Sequence, residues 1–92
     1  MHGWVVYILE CGDGTLYTGI TIDLRRRLAA HLRGAASKYT RARLPVRVIY
    51  QEAHRSRSSA LRREALIKAL TRRGKLGLIG GSSDSSPQQS PP

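Results

Sequence analysis

Five polar side chains in this chain stand where folding alone does not demand them. Tyr7 lies inside an apolar run, and Tyr17 follows ten positions later. Arg27 and His31 are four residues apart, a spacing that puts both on one face of a helix. Glu64 lies in a stretch of good helix formers, three residues after Leu61 and one before Ala65. Phosphodiester hydrolysis needs a cation to offset developing charge, a group to activate water and a fixed positive clamp on the phosphate. Glu64 suits a hard divalent cation, Mg²⁺ or Mn²⁺, and a single carboxylate implies one metal rather than two. Arg27 suits the non-bridging oxygens. Tyr7, Tyr17 and His31 are each able to orient or deprotonate the water. Taken singly, each has a plainer explanation. A strand tyrosine packs, an arginine in a run of three is solvated, a lone histidine is structural, and Glu64 pairs with Lys68 at i+4.

Charge narrows the partners. The 92 residues carry 16 basic and 6 acidic side chains, a net charge of +10. Thirteen of the basic residues are arginine, whose planar fork matches phosphate oxygens. A small arginine-rich domain has the electrostatic footprint of a nucleic-acid binder. Arg25, Arg26, Lys38, Arg41 and Arg43 are the candidate backbone contacts. Cys11 is the only cysteine, so no intramolecular disulfide framework exists, and the histidines lack zinc-ligand spacing. The N-terminus lacks a signal-peptide pattern, and the apolar run Val5 to Leu9 is too short to span a membrane. A cytoplasmic protein without a membrane partner is expected.

The elements that must position these side chains are legible in outline. Trp4 to Glu10 reads as a strand, apolar without a polar break, so both of its faces are expected to be covered. Cys11-Gly12-Asp13-Gly14 is a turn. Thr15 to Thr18 resumes a strand and closes an antiparallel hairpin, with Tyr17 near its end. Thr21 or Asp23 caps a helix whose apolar stripe is Leu24, Leu28 and Leu32. Arg27 and His31 border that stripe, at the rim between helix and sheet. Gly34 ends the helix. A basic turn, Ala35 to Arg43, leads to a break at Pro45 and a third strand alternating through Val46, Val48 and Tyr50. A second long helix follows over Ala60 to Arg72, with Leu61, Ala65 and Ile67 to Leu70 as its apolar surface, and Gly74 stops it. A last turn covers Lys75 to Ile79. Residues 80–92 are mostly Gly, Ser and Pro and are expected to be a disordered tail. The sum is one α+β domain, residues 1–79, with a small antiparallel sheet packed by helices.

The runs Val5-Val6-Tyr7-Ile8-Leu9, Leu16-Tyr17-Thr18-Gly19-Ile20 and Leu24-Arg25-Arg26-Arg27-Leu28, followed by His31, resemble the GIY-YIG nuclease superfamily. Ser37-Lys38-Tyr39-Thr40-Arg41, Pro45-Val46 and Ala60-Leu61 with Glu64 resemble its small stand-alone UPF0213-type branch. The resemblance spans Trp4 to about Ile79. It implies a three-stranded antiparallel sheet flanked by helices and a divalent-metal-dependent endonuclease acting on nucleic acid, DNA ahead of RNA, in repair or processing. It implies that Tyr7 and Tyr17 line the site and that one acts as or supports the base. Arg27 would contact the scissile phosphate, His31 would stand near the nucleophile, Glu64 would hold the metal, and Gly19 would allow close backbone approach. The chain departs from the pattern in three places. The first triplet lacks its glycine, Thr18 replaces the usual isoleucine, and Ile20 stands where some relatives carry lysine. No second domain selects a substrate, so sequence specificity would be low unless a protein partner supplies it. The alternative is a non-catalytic basic DNA- or RNA-binding module on the same fold.

Overall fold

A computed structural model describes residues 3–84. The elements run β1 (Trp4–Cys11), β2 (Leu16–Thr21), α1 (Leu24–Leu32), α2 (Lys38–Arg41), β3 (Val46–His54), α3 (Arg57–Lys68) and α4 (Arg72–Asp84). The three strands form one sheet in the order β2-β1-β3, and both pairings are antiparallel. The unbroken apolar run of β1 is explained by its place. It is the central strand and is covered on both faces. Val6 and Ile8 pack with Ala60 and Ile67 of α3, backed by Leu78 and Ile79 of α4. Tyr7, Leu9 and Cys11 point the other way, toward Leu24 and Leu28 of α1 and Val46 of β3. Successive side chains of a strand alternate between faces, so one eight-residue strand supplies the centre of two small cores.

Helix phase departs from the sequence expectation in both long helices, for one reason. An α-helix closes two turns in about seven residues, so position i+7 stays on the line of i, while i+8 drifts about 80° off it. In α1 the buried line is therefore Leu24, Leu28 and His31. Leu32 is 49% exposed, whereas His31 is 1% exposed. Arg27 is exposed rather than held at the rim. In α3 the buried line is Ala60 and Ile67, while Leu61, Leu66 and Leu70 are exposed. Glu64 lies beside the Ala60–Ile67 line, and its side chain is 17% exposed.

Caps and irregularities fix the boundaries. Asp23 caps α1 by accepting from the Arg26 amide, and Ser37 and Ser56 cap α2 and α3 in the same way. Gly34 follows α1 with φ +76°, a conformation that favours glycine over any residue with a Cβ. β2 continues through Gly19 to Thr21, so Tyr17 opens that strand rather than closing it. β3 carries a bulge opposite Ile8 and Leu9, which breaks the expected alternation at Ile49. Past the bulge, Tyr50, Glu52 and His54 lie opposite Ile8, Val6 and Trp4. α3 stops at Lys68 with Ala69 as its C-cap, earlier than expected. Gly74 lies inside α4 instead of ending α3. With Leu78 and Ile79 docked on the core, extending α4 adds a backbone hydrogen bond for each further residue ordered. The helix reaches Asp84, so residues 80–84 are helical where a disordered tail is expected from composition. The rest of that tail, residues 85–92, lies outside the described residues.

A polar link holds β3 against α3. Glu52 accepts from Arg63 Nε at 2.8 Å and lies 2.7 Å from His54 Nε2. It also accepts from the Tyr50 hydroxyl, and His54 Nδ1 lies 2.6 Å from Ser59 Oγ. Burial raises the Glu52 carboxyl pKa, but hydrogen bonds from Tyr50, Arg63 and His54 outweigh it and hold the group below the usual carboxylate range. A depressed folded-state pKa means stability present above the unfolded value and lost as pH falls through the folded one. Glu52→Gln is expected to cost about 1–3 kcal/mol near neutral pH and to flatten the acid limb of stability. Urea titrations at neutral and acidic pH measure both, and equal stability at both pH values in the two proteins would refute the link. Thr18 supplies the opposite test. Its hydroxyl is buried and, among the described residues, has no partner. Thr18→Val is near-isosteric and should stabilise the domain by about 1 kcal/mol, read as a higher thermal midpoint.

Candidate active site

The β1–β2 register builds the site. Tyr7 lies opposite Gly19, and Tyr17 opposite Leu9. The two tyrosines therefore share a sheet face as diagonal neighbours, a separation that aromatic rings still bridge. Their ring centroids are 6.5 Å apart. The Tyr7 ring lies directly over Gly19, where a Cβ would stand 2.6 Å from the phenol oxygen and 2.7 Å from Cζ. The space freed by the missing side chain is thus occupied by Tyr7 itself.

α1 then delivers His31 into the same pocket. Its Nε2 lies 2.9 Å from the Tyr7 hydroxyl and its Nδ1 lies 2.8 Å from Thr40 Oγ1. Its ring meets both tyrosines edge-on, at 5.9 Å from Tyr7 and 5.3 Å from Tyr17. Thr40 is fully buried. Its hydroxyl also reaches the Ser37 carbonyl at 3.4 Å. On the outer side, Tyr39 stacks near Tyr17 at 5.9 Å, and the Arg43 guanidinium lies 3.8 Å above the Tyr39 ring.

Electrostatics ties the two remaining candidates to this cluster. Burial pushes the Tyr7 phenol well above its ordinary value. Tyr17 and Glu64 push the same way, and Arg27 pulls against them. Burial also lowers the His31 pKa, and the Arg27 charge lowers it further. At neutral pH the pair is a protonated phenol beside a neutral imidazole. Arg27 acts from α1 on one sheet face and Glu64 from α3 on the other. Both charges act on the Tyr7 phenol, in opposite directions. Arg27 also borders an open groove of about 1050 Å³, shared with Arg26 and Arg33. Glu64 lies 3.4 Å from Lys68 Nζ.

Of the five side chains singled out from the sequence, Tyr7, Tyr17 and His31 are in ring or hydrogen-bond contact, while Arg27 and Glu64 are linked to Tyr7 through their charges. The expected basic contacts divide. Arg25, Arg26, Lys38 and Arg41 are exposed. Arg43 is half-buried, 3.2 Å from Asp13 and hydrogen-bonded to the Tyr39 carbonyl. Two members of the cluster, Thr40 and Tyr39, are assigned no role by the sequence reading. The usable signal was Ser37, a cap residue three positions before Thr40, which marks a short helix that turns Thr40 inward.

Residues 3–76 match the family model described as the GIY-YIG catalytic domain. The chain is 57% identical over 74 residues to a UPF0213 protein of Streptococcus agalactiae, covering 80% of this chain and 84% of that one. It is 48% identical over 79 residues to a UPF0213 protein of Staphylococcus aureus, covering 86% and 96%. The solution NMR structure of the UPF0213 protein from Bacillus halodurans aligns at 45% identity and TM-score 0.55, covering 87% of this chain and 84% of that one. An E. faecalis protein solved by the same method aligns at 37% identity and TM-score 0.60, covering 88% and 85%. The chain belongs to the GIY-YIG family, a nuclease family, and is a small UPF0213-type member of it.

The geometry around Gly19 is directly testable. Gly19→Ala should displace the Tyr7 ring, weaken its bond to His31 and cost about 1–3 kcal/mol as an overpacking change. A thermal midpoint within error of wild type would show that the two strands have room for a methyl group at this point.

Proposed function

We propose that this GIY-YIG protein is a divalent-metal-dependent endonuclease that hydrolyses phosphodiester bonds in nucleic acid, DNA ahead of RNA, with low intrinsic sequence specificity. The observation that carries the reading is the contact of the buried Tyr7 phenol with His31 and Tyr17, under the opposing charges of Arg27 and Glu64.

Among the described residues no three metal-ligating side chains cluster, so there is no protein cage for a cation. The chemistry of the donor set nevertheless suits Mg²⁺ or Mn²⁺. A hard ion of this kind needs one carboxylate, keeps several waters and takes the rest of its shell from substrate phosphate. Glu64 is the side chain that would hold it, exchanging its Lys68 contact for the ion. When bound, the ion offsets negative charge on the phosphate and the leaving oxygen.

The rest is done by the chain's own groups. Arg27, exposed at the edge of the groove, clamps the non-bridging oxygens of the scissile phosphate. Tyr17 is half-buried and faces the attacking water. Behind it, the Tyr7–His31 pair takes the proton. Water oxygen forms the new bond to phosphorus while its proton goes to the Tyr7 oxygen, and Tyr7 passes its own proton to His31 Nε2. The bond to the leaving oxygen breaks, and that oxygen takes a proton from solvent. To reset the site, His31 passes its proton back to the Tyr7 oxygen, and Tyr7 gives up a proton to water on the site side. The raised phenol pKa excludes a standing phenolate, which is why a neutral imidazole must lie behind it.

Wild type and Glu64→Ala, purified identically, are to be compared on labelled single-stranded, duplex and branched DNA with Mn²⁺ or EDTA. Metal-dependent cutting by wild type and none by Glu64→Ala is expected, with DNA affinity largely kept because phosphate contacts by basic residues dominate binding. Arg27→Ala should lower kcat by roughly two orders of magnitude or more, as removal of a transition-state charge contact does. The acid limb of kcat/KM should lie on the acidic side of the ordinary histidine range, because His31 must be neutral to accept. Tight, salt-sensitive binding without cutting in either protein would instead favour the non-catalytic basic module.

A further inference from the structure

We infer that Thr40 is a positioning residue for this reaction: its hydroxyl, anchored on the Ser37 carbonyl, locks His31 in the tautomer whose Nε2 accepts the Tyr7 proton. The inference rests on the nuclease reading for its kinetic consequence, but its structural content stands on geometry alone.

The direction of the hydrogen-bond chain follows from what each group is able to donate. A carbonyl oxygen only accepts, so we assign the single hydroxyl hydrogen of Thr40 to its long, 3.4 Å contact with the Ser37 carbonyl. The Thr40 oxygen is then an acceptor toward His31 Nδ1 at 2.8 Å. Nδ1 must carry the imidazole proton. A neutral imidazole has one N–H, which leaves Nε2 as a bare acceptor facing the Tyr7 hydroxyl at 2.9 Å. Every donor in the series Tyr7, His31, Thr40 therefore points away from the site. The lone pairs of the Tyr7 oxygen are left free to receive a proton from the site side.

Burial makes the arrangement binding on the fold. Tyr7, His31 and Thr40 are 2%, 1% and 0% exposed, so no bulk water is available to replace a missing partner. With Thr40 turned the other way, donating to Nδ1, the imidazole would carry its proton on Nε2 and donate to Tyr7. Tyr7 would then hold its own hydrogen toward the site and have no acceptor behind it. The short helix α2 exists at this place to prevent that. Ser37 accepts at its side chain from the Tyr39 and Thr40 amides and presents its carbonyl to the Thr40 hydroxyl. One serine thereby both caps α2 and orients the threonine.

The test joins spectra with kinetics on the full chain. Long-range ¹⁵N–¹H correlation spectra report which ring nitrogen of His31 is protonated, with no metal or substrate needed. Wild type and Thr40→Ser should both show the proton on Nδ1, and Thr40→Val should lose that preference. With Mn²⁺ and labelled DNA, Thr40→Val should lower kcat roughly 10- to 100-fold, the scale seen when a histidine's orienting partner is removed. KM should be unchanged, and Thr40→Ser should restore kcat to within about threefold. Wild-type spectra with the proton on Nε2 overturn the inference without any variant, so a poorly folded Thr40→Val does not decide the matter. Thr40→Val with wild-type tautomer and wild-type kcat overturns it equally. If wild type cuts no substrate, the nuclease reading fails separately, and the spectra alone decide whether Thr40 sets the tautomer.

Discussion

One buried hydrogen bond organises this domain: the 2.9 Å contact between the Tyr7 hydroxyl and His31. A phenol and an imidazole removed from water each need a partner, and an unpaired one costs a few kcal/mol. Satisfying both fixes the surroundings in turn. Tyr7 must lie flat over β2, so its cross-strand neighbour must be glycine. His31 must sit on the inward line of α1, so the helix is phased on Leu24, Leu28 and His31 rather than on its leucines alone. The far nitrogen of the ring must meet an acceptor, so α2 must bring Thr40 inward. A register, a helix phase and the placement of a four-residue helix all answer to one pair of polar side chains.

The other face of the sheet has a different character. There the core is aliphatic, Val6 and Ile8 against Ala60 and Ile67, and its polar element, the Glu52 link, joins β3 to α3 rather than facing the tyrosine pocket. This separates tasks within a chain too small to hold a large core. Apolar packing on the α3 face supplies stability and holds the sheet flat against its helix. The α1 face can then bury tyrosine, histidine and threonine. The central strand β1 is shared by both cores, and the charges of Arg27 and Glu64 both act on its Tyr7. Thr18 sits on the apolar side, with its hydroxyl buried and, among the described residues, without a partner.

What could be read from the sequence follows the range of the underlying forces. Strand identities, the two long helices, a cap at Thr21 or Asp23 and the Gly34 stop are local chemistry and were legible, whereas the Ser37 cap of α2 was not. The set Tyr7, Tyr17, Arg27, His31 and Glu64 was legible as a list because of its residue types and a family resemblance. Its geometry was not. A leucine stripe at 24, 28 and 32 is the natural reading of apolar spacing, but it ignores the helical drift that exposes Leu32 and buries a histidine. In α3 Ile67 is buried as expected, but Ala60 rather than Leu61 is buried with it. Thr40 was opaque for another reason. A threonine three residues past a capping serine is common on surfaces, and only the fold brings this one within 2.8 Å of His31 Nδ1.

The arginines complete the physical picture, because they fall into two groups that composition cannot separate. Arg43, Arg47 and Arg63 pair with Asp13, Glu10 and Glu52, and Arg72 donates to the Gly14 carbonyl. These hold the hairpin, the third strand and the helices together. Arg25, Arg26, Arg27 and Arg33 of the α1 region form no ion pair among the described residues, and three of them border the groove beside the site. Clustered unpaired cations repel one another and cost the folded state something in low salt. Folding gains nothing visible from placing them together. A polyanion laid along α1 would convert that repulsion into attraction and bring its phosphates to Arg27 and the tyrosine pair. The acids of this chain are few, and most are spent on structural partners. Of the charge left over, Arg26, Arg27 and Arg33 line one groove beside the candidate site.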